Sequence, residues 1–290
     1  MATRPLYALA AAVVMNFVLD LAFVRLFSWG TAGIGIATII AAALSAVIVV
    51  AFLMREEGPF RLHLRELSIS GPELAGILRI GIPAGVQGAV FSLSNTVVQA
   101  AINGFGSAAI AGSAATLNFE YYTYFFVNAF GQTAVTFTGQ NFAAKNADRC
   151  RAIFRWCMLF GFASSLILGV TFTALGTRAL GLFTTDAAAL SFGLVRLWFV
   201  ELPDCLTTFY EVPAGAMRGM GWSTLPAIIT ILGSCVLRVA LVTWVFPLSG
   251  TWDALMVIYP VTWSFMIVAM LVSYVIVRRR CYRSIEPAAA

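Results

Sequence analysis

AAALSFGLVRLWFVELPDCLTTFYEVPAGAMRG, residues 187–219, is the stretch whose reading decides the fold. It exceeds the roughly 20 apolar residues that cross a bilayer, yet it carries Arg196, Glu201, Asp204 and Glu211, with Pro203 and Pro213 beside them. A carboxylate at mid-bilayer costs about 3 kcal/mol, so such groups face a protein interior or a water-lined cavity and are functional candidates. The structural alternative is a buried ion pair that holds the bundle together. At about 100° per residue, the three acids fall within roughly 80° of arc, which predicts one wet stripe on one helix face. Pro203 also removes a backbone donor next to them, and at this depth a freed carbonyl is tolerated only against other helices or a cavity.

The rest of the chain fits that reading. Of its 290 residues 60% are hydrophobic and only 11% charged, against about 25% charged in a typical globular domain. The fold class is therefore an all-α polytopic membrane protein. The net charge of +5 would suggest nucleic acid in a soluble protein, but here the basic residues sit in short loops, where they report topology. Nucleic acid is not an expected partner; the lipid bilayer is. Five cysteines form no CxxC and fall mostly in apolar spans, so neither disulfides nor a metal site is expected. The first apolar run lacks the pattern of a cleavable signal and reads as a span.

Runs of about 20 apolar residues predict eight transmembrane helices, near 5–23, 32–54, 80–102, 113–137, 154–176, 188–214, 225–246 and 253–277. Both termini are expected in the cytosol of a bacterial inner (plasma) membrane. That placement leaves only Arg25 and Arg178 outside, with Arg196 and Arg238 inside spans and all other basic residues in cytosolic segments. The expected domains are residues 1–54, two helices of a first lobe; 55–79, a cytosolic linker; 80–278, a six-helix second lobe; and 279–290, a cytosolic tail. Within the linker, FRLHLREL at 60–67 predicts an amphipathic helix at the interface. Pro5 and Pro226 each open a helix that leads through a glycine-containing outer loop (WGTAG, SGTW) to another helix ending in arginine. Spans one and two thus echo spans seven and eight, as in transporters built from repeats.

Several motifs carry a family resemblance. GQTAVTFTGQNFAAKNADRCR at 131–151 resembles the GQNxGAxNxxRAR signature of multidrug and toxic compound extrusion (MATE) transporters. GIPAGVQ at 81–87, GFGSAAIAGSAAT at 104–116 and AMRGMGWSTLPAI at 216–228 agree in order and spacing, and VMNFVLDLAFV at 14–24 and GTAGIGIAT at 30–38 look like that family's fifth and sixth helices. The resemblance implies twelve helices in two lobes, alternating access, and export of cationic amphiphilic compounds in exchange for sodium ions or protons. It also implies that the first four helices, most of an N-terminal lobe, are missing. The span that corresponds to the family's seventh helix, AVFSLSNTVVQAA at 89–101, holds Asn95 and Gln99 but no acid. A lipid-linked oligosaccharide flippase of the same superfamily and an inactive truncated transporter are the alternatives.

The residues themselves suggest how antiport would work: ion and drug must compete, or shift one conformational equilibrium, so that each releases the other. Asp204 and Glu201, one turn apart, could share a proton or bind one sodium ion. Glu211, about 15 Å further along the helix, would belong to an inner gate. Glu120 with Tyr121 and Tyr124 forms an aromatic cluster around a carboxylate, suited to an organic cation; the alternative is a tyrosine belt near the headgroups. Gln87, Asn95 and Asn118 are further candidates for the cavity wall. Arg238 and Glu201 lie at similar depths, about 18 and 20 Å from the inner ends of their helices, and are expected to pair. Arg196, nearer the outer face, is expected to snorkel outward. Asn16 and Asp20 repeat at i, i+4 and suggest helix packing. With no nucleotide-binding glycine loop, no histidine in a span and no metal-ligand spacing, the chain does not read as an enzyme, and no cofactor beyond the coupling ion is expected.

Overall fold

The computed structural model describes residues 3–57 and 61–285, which are helical apart from short connections, with no strand among them. Eight rods follow one another: α1 (Thr3–Leu21, continued by a π-helical turn, Ala22–Leu26), α2 (Gly30–Met54), α3 (Gly71–Asn103), α4 (Ser107–Ala143), α5 (Ala147–Leu180), α6 (residues 187–219), α7 (Thr224–Ser249) and α8 (Trp252–Ile285). By length and composition, α1, α2, α5, α7 and α8 are apolar enough to cross a membrane. The other three, α3, α4 and α6, hold most of the polar residues considered below.

The chain divides into two compact units, Met1–Leu74 and Ala75–Ala290. The division falls inside α3, which starts at Gly71 and not near residue 80, so the expected 55–79 linker is not a separate element. Pro72 suits that start, because a first-turn residue has no intrahelical use for its N–H. The amphipathic linker helix is not formed either: among described residues 61–70 only Leu64–Glu66 makes a turn of 3-10 helix.

In the first unit, α1 and α2 pack as a hairpin through small residues, with Ala8, Ala12, Gly33, Ala37 and Ala41 buried. Small side chains let backbones approach closely where no hydrophobic force drives helices together. The α1–α2 loop is closed by Phe23 stacked on Trp29, ring centroids 5.0 Å apart. It turns at Gly30 with φ +56°, and the α7–α8 loop turns the same way at Gly250 with φ +61°. Both loops of the internal echo thus use glycine where L side chains are disfavoured.

In the second unit, α4 runs against α5 and α6. Glycines set the α4–α6 seam: a Cβ on Gly112 would overlap the Ala189 carbonyl, and one on Gly215 would overlap the Gly131 carbonyl. A core rich in methionine, including Met256, Met266 and Met270 of α8, fills the other side.

Two of the rods that line a cavity in the second unit, α6 and α7, are irregular along their length. Within α6, α-helix Ala187–Arg196 passes into a π-helical turn, Leu197–Glu201, then a 3-10 segment, Leu202–Thr207, before α-helix resumes at Thr208–Gly219. Pro203 explains the change, since it cannot donate to the carbonyl one turn back. Within α7, one α-helical turn, Arg238–Ala240, lies between π-helical segments Ile231–Leu237 and Leu241–Val245. Such departures from i to i−4 bonding often mark functional sites.

Candidate functional site

The polar side chains of α3, α4 and α6 converge with α7 and α8 on a cavity of about 600 Å³ in the second unit. Asn95 and Gln99 of α3, Glu120, Tyr121 and Tyr124 of α4, Arg196 and Asp204 of α6, Arg238 of α7 and Tyr259 of α8 all line it. A volume of this size fits a drug-sized molecule.

Its charges are organised in two ways. Arg196 of α6 forms a fork with Glu120 of α4: Nε donates to Oε1 at 2.5 Å and Nη2 to Oε2 at 2.8 Å, while Nη1 donates to Ser113 Oγ at 2.6 Å. Arg196 is 2% exposed and Glu120 13%, so this is a bidentate ion pair largely out of solvent. Arg238 is equally buried at 2%. Its Nη1 donates to Asn95 Oδ1 and its Nη2 to Thr262 Oγ1, each at 3.4 Å, and its Nε has no partner. None of the ion pairs among the described residues includes it. The Tyr259 ring lies beside both guanidiniums, its centroid 5.5 Å from Arg196 Cζ and 4.9 Å from Arg238 Cζ.

The acids differ as well. Thr123 Oγ1 donates to Glu201 Oε1 at 2.6 Å, which turns Glu201 toward α4, and Glu201 Oε2 has no partner. Asp204 is buried and lines the cavity, with Oδ2 unpartnered. Glu211 is half-buried where α6 crosses Gly131 of α4 and is not among the residues lining the cavity.

Four expectations need correction. The pair between Arg238 and Glu201 is not formed, because Glu201 bonds to Thr123 on α4 while Arg238 faces Asn95 on α3 and Thr262 on α8. Equal depth was a poor guide, since the π and 3-10 turns change the angular register that a constant 100° per residue assumes. For the same reason Glu201, Asp204 and Glu211 do not share one wet stripe, and of the three only Asp204 lines the cavity. Arg196 does not snorkel outward; it turns inward to Glu120. Glu120 in turn is occupied by Arg196 and is not the free centre of a tyrosine cluster, although Tyr121 and Tyr124 do line the cavity.

Of the neutral candidates, Asn95 lines the cavity, whereas Gln87 and Asn118 do not; Asn118 is exposed and donates to the carbonyl of Ala114 on its own helix. On α1, Asn16 Nδ2 and Asp20 Oδ1 are buried without partners. Sequence reasoning missed Thr123, Ser113 and Tyr259. Thr123 could have been found, since three residues after Glu120 puts it on the same face of α4; Tyr259 offered only its position beside Pro260 in mid-span.

Comparison with known proteins matches this architecture. The MatE family model fits residues 83–244, more than half of the chain. The probable multidrug resistance protein YoeA of Bacillus subtilis is 23% identical over 234 residues, 78% of this chain and 50% of that protein. The multidrug export protein MepA of Staphylococcus aureus is 21% identical over 273 residues, 92% of this chain and 58% of its own length. The chain therefore spans between half and three fifths of these relatives. Among solved structures, a MOP superfamily transporter from Pyrococcus furiosus superposes with a TM-score of 0.83 at 18% identity, covering 97% of this chain and 63% of that one. The Vibrio cholerae MATE transporter VcmN, in its bent form, gives 0.74 at 19% identity, covering 95% and 61%. With the family model matching residues 83–244, which include most of the cavity-lining residues, this multi-pass membrane chain belongs to the MATE family.

Proposed function

We propose that the chain acts as a secondary transporter, not an enzyme, exporting cationic amphiphilic small molecules by alternating access in exchange for a cation, with both termini in the cytosol of a bacterial inner membrane. The observation that carries this reading is Asp204: a buried carboxylate with a free oxygen, on an interrupted helix, opening into a cavity of about 600 Å³ with aromatic walls. A cationic drug and a coupling ion would compete for that oxygen, and competition is what exchange requires. The multidrug relatives support export of small molecules.

Of the two coupling ions, the proton suits the geometry better than sodium. A proton needs one acceptor, and Asp204 Oδ2 is one. A hard cation needs several oxygen ligands, and Glu201, the nearest carboxylate in sequence, is turned to Thr123 of α4 and does not line the cavity. The lipid-linked oligosaccharide flippase is not favoured, because Arg196 is neutralised by Glu120 and only Arg238 remains for a diphosphate.

The test is ethidium efflux from vesicles holding the full chain, under imposed proton or sodium gradients. We expect efflux that follows the proton gradient and is lost in Asp204→Asn. Efflux unchanged in Asp204→Asn, or none with the unaltered chain under either gradient, would overturn the proposal.

A further inference from the structure

We propose that Arg238 is an anion-binding group, so that the cavity takes amphoteric molecules whose carboxylate meets Arg238 while their cationic end meets Asp204. This rests on the reading above, that the cavity is where small molecules bind.

Among the described residues Arg238 lacks the compensating charge that Arg196 has in Glu120. A guanidinium has five N–H donors in a planar fork and keeps its charge throughout the physiological range. Arg196 has its charge cancelled and three nitrogens bonded at 2.5 to 2.8 Å. Arg238, equally buried, has two contacts of 3.4 Å to neutral oxygens, the ring faces of Tyr259 and Phe91, and an Nε with no partner. Buried charges are normally paired or coordinated, and an unpaired one that lines a cavity is equipped to receive a counter-charge from outside the chain.

Its position agrees. Arg238 occupies the single α-helical turn between two π-helical segments of α7, as Asp204 follows the π-helical turn of α6. Both lie next to π-helical interruptions of their helices, both present an unpartnered polar atom, and both line the same space. Phe91, Tyr121, Tyr210 and Trp263 supply aromatic wall for the apolar body of such a ligand. One guanidinium balances one negative charge, which suits a carboxylate better than a phosphate monoester with close to two. The planar fork also binds carboxylates bidentately.

The probes are rhodamine 110, which carries a free carboxylate, and its methyl ester, rhodamine 123, which does not. Binding of each to the purified full chain is followed by fluorescence anisotropy. We expect the unaltered chain to prefer the acid, and Arg238→Gln to lower the acid-to-ester affinity ratio roughly tenfold, the size of one charge-assisted hydrogen bond. A ratio that Arg238→Gln leaves unchanged while both dyes still bind would overturn the anion site and leave the transporter reading standing. Binding of neither dye to the unaltered chain would overturn both. Should Arg238→Gln fail to fold, Arg238→Lys decides: a partial fall in the ratio is expected, since an ammonium lacks the fork, and an unchanged ratio overturns the proposal. Dihexanoylphosphatidylcholine is expected not to displace rhodamine 110; displacement that disappears with Arg238→Gln would assign the group to lipid phosphate and overturn the carboxylate.

Discussion

Arg196 and Arg238 share a cavity, a tyrosine between them and the same 2% exposure, yet they solve the problem of a buried charge in opposite ways. Arg196 ties α6 to α4 through Glu120, along the seam where Gly112 and Gly193 bring the two backbones together. Arg238 holds only neutral partners across α3 and α8. Equal burial therefore does not mean equal role. A charge compensated within the chain is architecture, whereas an uncompensated one beside a void is available to a ligand.

The sharpest way to break this comparison is to remove one partner of the compensated pair. Glu120→Ala leaves Arg196 buried alone and should cost about 3–5 kcal/mol, read as a lower midpoint in thermal unfolding of the purified chain. The double change Glu120→Leu with Arg196→Met should recover most of that loss, because a well-packed apolar pair replaces a buried ionic one at little cost. A double variant no more stable than Glu120→Ala would show that the pair is not acting as a unit. Next in size is Gly112→Val, whose side chain would push the Ala189 backbone away and strain the same fork from a distance; overpacking of this kind costs about 1–3 kcal/mol. Smallest is Arg238→Met, expected to change stability by about 1 kcal/mol or less, since two weak hydrogen bonds are lost while a desolvated charge is relieved. A loss as large as that of Glu120→Ala would erase the distinction between the two arginines.

Much of this was legible in the sequence for a simple reason. Apolar runs are long, and polar residues in hydrocarbon are costly enough to be conspicuous. The five most apolar rods and the importance of residues 187–219 follow from that alone. Pairing was harder to read. Arg196 and Glu120 lie 76 positions apart, and no spacing rule relates them. Asp204, Glu201 and Glu211 do obey a spacing rule, and it misleads, because Pro203 and the π-helical turn before it rotate the residues that follow out of register. The linker failed differently: FRLHLREL is amphipathic by composition, but Leu64–Glu66 is all that turns helically among its described residues. Hydrophobic patterning thus locates elements well where they are long and uniform, and poorly where a proline or a short segment breaks the period.

The central claim is that the face bearing Asp204 opens on a solvent-reachable cavity at membrane depth. The most direct measurement replaces the five native cysteines, places a single cysteine at Thr96 on the cavity wall or at Val170 on the exposed apolar face of α5, and follows reaction with a charged, membrane-impermeant thiol reagent. The account predicts that the cysteine at position 96 reacts and is slowed by ethidium, while the one at position 170 stays unmodified in lipid. Equal inertness at both positions, or reaction at 96 that ethidium does not slow, would contradict it.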